Sequence, residues 1–186
     1  MSEVDEQRVL NPEDRTIREA QDRFIDTWGR MGSAWGISRT MAEAHALLYI
    51  TGLALNTDEV MERLEISRGN ASMSLRALQD WGLVERVHKR GDRKEYYQAE
   101  SDVWTIFRTI AEQRKKRELE PVVASLYELR DMTKDGSKRD KVVKHHNERL
   151  DSMLEFMQTL DTLSSQLVSP EGKGLKLALT LLSKAM

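Results

Sequence analysis

Ser67, Arg68, Gly69, Asn70, Ser72, Met73 and Arg76 fall within ten residues in the stretch SRGNASMSLRALQDWGL, which runs from Ser67 to Leu83. At about 100° per residue of an α-helix, Gly69, Asn70, Met73 and Arg76 lie on or near one face, with Ser72 at its flank. These side chains suit the edges of base pairs. A guanidinium can take the two acceptors of guanine, a side-chain amide can pair with adenine, and a thioether can touch a thymine methyl. The chain is 32% charged, yet Ser67 to Ser74 holds no acid and only two long side chains, Arg68 and Met73. A helix only just fits the major groove of DNA, so short residues at its N-terminal end let the backbone come close. The exposed first-turn amides, with Ser67, favour phosphate.

Lys89, Arg90, Arg93 and Lys94 form a second cluster. The segment RVHKRGDRK, from Arg86 to Lys94, has five Lys or Arg and one His against one Asp. Long cations at a hairpin tip can reach phosphates or a narrow minor groove. Asp92 would repel a polyanion if left unpaired, so it is expected to hold an arginine side chain in place.

The elements that must position these clusters are mostly helices. Asn11, Pro12, Glu13 and Asp14 make a helix start: a cap, a proline in the first turn, then acids facing the helix dipole. Ile17, Phe24, Trp28, Met31 and Trp35 follow at helical spacing. Thr40 with Glu43 predicts a capping box for a second helix, and Thr57 a cap for a short third one, TDEVMERL. Ser67 caps a fourth, which stops at Gly82. LVERVHK and RKEYYQA flank Arg90-Gly91-Asp92, alternate in character, and predict an antiparallel hairpin turning at Gly91-Asp92. Three short helices and then a hairpin is the order of a winged helix-turn-helix, in which the second helix of the pair enters the major groove. On the helical wheel, Ala71, Leu75 and Leu78 lie on the opposite side and pack on the body.

After Ser101 the chain returns to helix. Trp104, Phe107 and Ile110 form one apolar stripe, and Pro121 must kink or restart the helix because it lacks an amide hydrogen. TKDGSK, from Thr133 to Lys138, breaks it. Val143, His146, Leu150, Met153, Met157, Leu160, Ser164 and Leu167 then alternate at spacings of three and four, a heptad seam. Leu150, Met153, Met157 and Leu160 are the candidate dimerisation residues, against the plainer option of packing within one chain. A last short helix is expected from Ser169-Pro170-Glu171. Trp28, Trp35, Trp104 and Phe107 are a candidate aromatic cage for a cationic small-molecule effector, since ring faces hold quaternary ammonium ions. Ordinary core burial is the commoner use of such residues.

Composition narrows the function classes. There is no cysteine, which excludes disulfides, thiolate nucleophiles and Cys-based zinc sites. No apolar run reaches the roughly 18–20 residues of a membrane span, and the acidic N-terminus lacks an apolar signal core. A cytoplasmic protein without membrane contact is expected. His145 and His146 are adjacent and point about 100° apart on a helix, so they cannot share a metal. No nucleophile–base pairing and no glycine-rich phosphate loop stands out, so no catalytic residue, metal or cofactor is assigned. The net charge of −2 is not that of an indiscriminate DNA-coating protein; the basic residues are local instead.

SRGNASMSLRALQDWGLVERV, followed by GDRKEYYQAESDVWTIFRTIAEQRKKRELEP, resembles the GbsR branch of the MarR superfamily of bacterial transcription regulators. The similarity runs from about Thr16 to Pro121, and GDRKEYY and RKKREL are its specific segments. It implies a homodimer that represses or activates genes, and in some members the sensing of choline and control of osmoprotectants. Ala71 stands where the branch usually has a β-branched residue, and Ser74 where it usually has Asn. Placing Ser74 at the edge of the DNA-facing side implies a changed operator.

The expected fold is mostly α with a small β-hairpin wing: a winged helix-turn-helix plus N- and C-terminal dimerisation helices. The expected division is a flexible N-terminus at 1–12, a dimerisation helix at 13–37, a DNA-binding domain at 38–100 and a helical dimerisation region at 101–186. The expected function is a homodimeric, sequence-specific regulator of double-stranded DNA, a ligand- or stress-responsive repressor. The competing reading is a winged-helix protein-interaction or structural adaptor that does not read DNA.

Overall fold

The computed structural model of the chain describes residues 12–134 and 140–168. The Asn11 cap, the flexible segment at 1–12 apart from Pro12, the centre of the TKDGSK break, and the helix expected from Ser169 lie outside the described residues. The chain divides into two units, residues 1–106 and 107–186.

The first unit begins with α1 (Pro12–Ala34) and α2 (Arg39–Thr51). The two cross closely because glycines leave room. A Cβ on Gly32 would stand 2.5 Å from the Ala42 Cβ, and one on Gly29 would stand 2.6 Å from the Glu43 Cγ. The N-cap of α2 is Ser38, without a side-chain hydrogen bond, so the expected Thr40–Glu43 box is absent. Glu43 is drawn elsewhere: its Oε1 accepts from Arg39 Nε at 2.7 Å, beneath the α1 crossing. Met41, Ala42, Ala44, Ala46, Leu47 and Leu48 of α2 are buried. This helix is the centre of the unit, apolar almost all round, as a helix enclosed by other elements must be.

A short strand, β1 (Leu55–Asn56), leads into α3 (Thr57–Leu64). The cap of α3 is Asn56, not Thr57. The Asn56 Oδ1 accepts from the Asp58 and Glu59 amides at 2.9 and 3.1 Å, and Glu59 Oε2 accepts from the Asn56 amide at 2.7 Å. That reciprocal pair satisfies otherwise orphaned amides, and Thr57 becomes the first helical residue. The turn to α4 (Arg68–Trp81) passes through Glu65, a non-glycine residue at φ 54°. Ser67 caps α4 through a hydrogen bond from the Asn70 amide at 3.3 Å, and Gly82, at φ 77°, ends it in the left-handed conformation that glycine adopts without steric cost.

Strands β2 (Val84–Val87) and β3 (Tyr96–Ala99) form the wing and are shorter than the expected segments. The sheet has three strands in the order β1-β3-β2, all antiparallel, with Leu55 opposite Tyr97 and Val87 opposite Tyr96. The third strand, β1, is too short to leave an alternating signature. Helix α5 (Val103–Arg114) then carries the chain out of the first unit.

In the second unit, a π-helical turn spans Lys115–Leu119 ahead of α6 (Glu120–Met132). The Glu120 amide bonds to the Lys115 carbonyl, five residues back. Pro121 has no amide hydrogen, so the helix widens by one residue and restarts with the proline in its first turn. Helix α7 (Lys141–Val168) lies against α6. Arg130 reaches Asp151 at 2.6 Å, Lys115 reaches Asp161 at 2.7 Å, and the Gln158 amide donates to the Tyr127 hydroxyl at 2.6 Å. The heptad seam is therefore partly internal. Leu154 and Asn147 are buried, Leu150 and Met157 half-buried, while Met153, Phe156, Leu160 and Leu163 stay exposed, as does His146. The side chain of Leu167 lies outside the described residues.

Candidate nucleic-acid interface

The α4 helix has two sharply different faces. Ala71, Ser74, Leu75 and Leu78 are buried, and Ser67, Arg68, Gly69, Asn70, Met73 and Arg76 are exposed, with Ser72 between. Met73 is 60% exposed, a large cost for an apolar side chain with nothing to cover it. No heavy atom would lie within 4 Å of a Cβ on Gly69, so the helix presents bare backbone there. Ser67 uses the Asn70 amide, which leaves the Arg68 and Gly69 amides as free first-turn donors among the described residues. Arg76 folds back one turn, with Nη2 3.0 Å from Ser72 Oγ and Nε 3.3 Å from the Ser72 carbonyl. Its guanidinium is thereby held along the Ser72 flank of the exposed stripe.

Ser74 does not lie at the edge of that stripe. It is only 7% exposed, and sits three residues after Ala71 and four before Leu78, on the inner side. Its departure from the branch pattern is thus a packing change and gives no reason to expect a changed operator.

The wing turns through Lys89 to Asp92, closed by the Asp92 amide on the Lys89 carbonyl at 3.1 Å, with Gly91 at φ 86°. Arg90 and Gly91 are its central residues, one position earlier than the sequence implied. The positive φ favours glycine there. Asp92 holds no arginine side chain. Its Oδ1 accepts from the Lys94 amide at 2.9 Å and its Oδ2 from the Tyr96 hydroxyl at 2.7 Å. Those two bonds lower the Asp92 pKa and keep the carboxylate charged, and the same contact raises the Tyr96 pKa. Bonding to the backbone amide two residues on is usual for Asp in a turn.

The five wing cations separate into two kinds. Arg86 is occupied by Gln79 at 2.9 Å and Glu95 at 2.8 Å, and lies over the Tyr97 ring. Lys89 donates to the Ala54 carbonyl at 3.0 Å and sits 3.8 Å from the Tyr96 ring centroid. Lys94 pairs with Asp58 at 3.2 Å, which raises its pKa. Asp58 also pairs with Arg68 at 2.9 Å. Arg90 and Arg93 are exposed and have no ion pair among the described residues. Among the described residues the tip therefore offers two uncommitted guanidinium groups; Arg86 and Lys94 fasten the wing to α4 and α3, and Lys89 fastens it to the loop before β1.

Residues 35–95 match the model of the MarR family. The matched residues are the winged-helix segment, so this part of the chain is similar to that family. The chain is 29% identical over 131 residues to the HTH-type transcriptional repressor GbsR of Bacillus subtilis (strain 168), covering 70% of this chain and 72% of that protein. It is 27% identical over 94 residues to the putative HTH-type transcriptional regulator YvaV of the same strain, covering 50% of this chain and 53% of that one. The likeness to GbsR bears out the resemblance carried by the recognition-helix and wing segments. A crystal structure of a transcriptional regulator shares the fold, with a TM-score of 0.54 over 80% of this chain and 95% of that chain at 18% identity.

The sequence singled out the exposed α4 residues and the wing cations, and the fold places them on the helix-turn-helix and its adjoining hairpin. It missed Asp58, Tyr96 and Asn56, which organise them. Within TDEVMERL, Asp58 carries no local signal of partners in α4 and the wing. Trp28 stacks on Phe24 at 5.7 Å and lies 6.3 Å from His45, whereas Trp35, Trp104 and Phe107 are each at least half exposed. His45 is buried in that aromatic cluster, and desolvation lowers its pKa to about 4. Among the described residues no group of three His, Asp or Glu side chains could hold a metal ion, and no helix is long and apolar enough to cross a membrane.

Proposed function

We propose that the chain is a sequence-specific transcriptional regulator that binds double-stranded DNA with α4 in the major groove and Arg90 and Arg93 on the backbone or minor groove. The observation that carries this reading is the α4 stripe itself. An acid-free first turn, bare backbone at Gly69, an exposed Met73 and a pre-positioned Arg76 share one face, and two uncommitted arginines stand on the neighbouring wing. Ser67, Arg68, Asn70 and Ser72 flank that stripe, and Lys89 and Lys94 fix the wing beside it. The chain acts as a homodimer with two α4 helices about 34 Å apart, reading a pseudo-palindrome. Met153 and Leu160, with Phe156 and Leu163, supply an exposed apolar stripe of α7 for that assembly, whereas Leu150 and Met157 turn toward the chain's own α6. The likeness to GbsR supports a repressor, and the resemblance to that branch points to an effector-responsive control of osmoprotectant or transport genes.

The test is an anisotropy titration of the chain against the promoter duplex of its own gene and a scrambled duplex, at several salt concentrations. A reader of DNA prefers the promoter and loses affinity with a slope of roughly −0.9 per phosphate contacted. Absence of salt-sensitive binding to any duplex would leave the winged domain as a protein-docking module instead.

A further inference from the structure

Asp58 stands where a DNA-binding surface has least use for an acid. It is the second residue of α3, beside the first turn of α4, and its carboxylate is partly exposed. One oxygen lies 2.9 Å from Arg68 Nη1, and the other 3.2 Å from Lys94 Nζ. Arg68 belongs to the recognition helix and Lys94 to the wing, so a single carboxylate neutralises one cation from each part of the interface. The cap does not need this charge. Only the Asp58 amide contributes to the Asn56 capping box, and the reciprocal carboxylate there is that of Glu59. Both partner cations are well exposed, at 72% and 55%, so they can swing away from Asp58 at small cost.

We propose that Asp58 competes with DNA phosphate for Arg68 and Lys94, and so suppresses binding to duplexes that offer charge without the right bases. This rests on the DNA-binding reading above. On a non-matching duplex the gain comes almost wholly from neutralising phosphates. There, withdrawing two cations from Asp58 and leaving its carboxylate near the backbone takes a large share of that gain. On a matching duplex the base contacts of Arg76, Asn70 and Met73 outweigh the same penalty. Asp58 therefore lowers the occupancy of non-matching duplexes while touching no base.

The test is Asp58→Asn, which keeps the size of the side chain and removes its charge. Wild type and variant are titrated by anisotropy with a random 30-base-pair duplex and with the promoter duplex of the chain's own gene, over a series of salt concentrations. The variant is expected to bind the random duplex about 3- to 10-fold more tightly at low salt, the scale of two exposed ion pairs. Its log–log salt slope should steepen by about 0.9, one additional counterion equivalent. Adding Arg68→Ala should remove about half of the gain, because the competition acts through that guanidinium. Wild-type binding with no gain and no steepening in the variant overturns the competition. So does a loss on both duplexes at unchanged slope, which marks Asp58 as a mere brace between α4 and the wing. Failure of the wild type to bind any duplex overturns the DNA-binding reading instead, and the competition with it.

Discussion

Gly69 offers the sharpest test of what faces the exposed side of α4, because there stability and binding are expected to move in opposite directions. It is a helical residue in the first turn, its φ is not positive, and nothing lies within 4 Å of an added Cβ. Gly69→Ala therefore introduces no clash and no backbone strain. It reduces the freedom of the unfolded chain and should stabilise the protein by about 0.5–1 kcal/mol. For a chain of this length that is a rise of about 1–4 °C in Tm, readable by circular dichroism. Gly69→Leu should be tolerated by the fold as well, since its side chain enters solvent. Against DNA the same branched side chain would hold the helix away from the base edges and weaken the contacts of Asn70, Met73 and Arg76. The expected loss is about 1–3 kcal/mol on the promoter duplex, or about 5- to 150-fold in Kd. Ala should lose less than Leu while being at least as stable as wild type. A Gly69→Leu protein that melts normally and binds the promoter as tightly as wild type would refute the placement of this face in a groove.

Arg76→Ala should relax base preference by about 1–3 kcal/mol in a competition assay with mutated promoters, while Arg90→Ala should weaken all duplexes alike and flatten the salt slope by about 0.9. Identical behaviour of the two variants would dissolve the distinction between reading and anchoring. Asn56→Ala should cost about 1–2 kcal/mol in urea unfolding, because Asn56 carries the capping box of α3, and Thr57→Ala should stay within about 0.5 kcal/mol. The reverse order would return the cap to Thr57. His45 makes stability depend on acid. Its pKa is about 4 in the fold, against 6.5 for the free side chain, so below pH 6.5 the unfolded chain takes up a proton that the folded chain refuses. Stability is full above that pH and falls by about 3 kcal/mol as the pH approaches 4. His45→Phe should flatten this part of the pH–stability curve, and an unchanged curve would place the acid sensitivity in other groups.

The parts of the fold that were legible in the sequence are those governed by neighbours along the chain. Ser67 and Gly82 bracket α4 as caps because each acts within a few residues of itself, and Pro121 forces a restart because its missing amide is a local fact. The errors fall where two local solutions compete. Thr40 with Glu43 and Thr57 with its acids both fit a capping pattern, but Glu43 is taken by Arg39 and the preceding Asn56 takes the place of Thr57. Ser74 was misplaced by a fraction of a helical turn, enough to move a residue from the rim of a face to its buried side. The α7 seam illustrates another limit. Spacings of three and four fix that one side is apolar, but two overlapping stripes satisfy them, and only contact with α6 selects Asn147, Leu150, Leu154 and Met157 as the inner one.

The sequence by itself determined the order of the helices and the hairpin from α1 to α5, the two-faced character of α4 and the basic wing, because periodicity and turn chemistry act over a few residues. Only the tertiary structure decided which charges are free. Lys89 meets the Ala54 carbonyl across 35 positions of sequence and Lys94 meets Asp58 across 36, pairings that no local spacing encodes. A run of five cations thus reduces to two uncommitted arginines. The carboxylate that ties Arg68 to Lys94 comes from a helix whose own sequence asks for an acid only to satisfy its dipole. Charge composition is a property of the chain, but charge available to a partner depends on which side chains the fold has already brought within about 3 Å of one another.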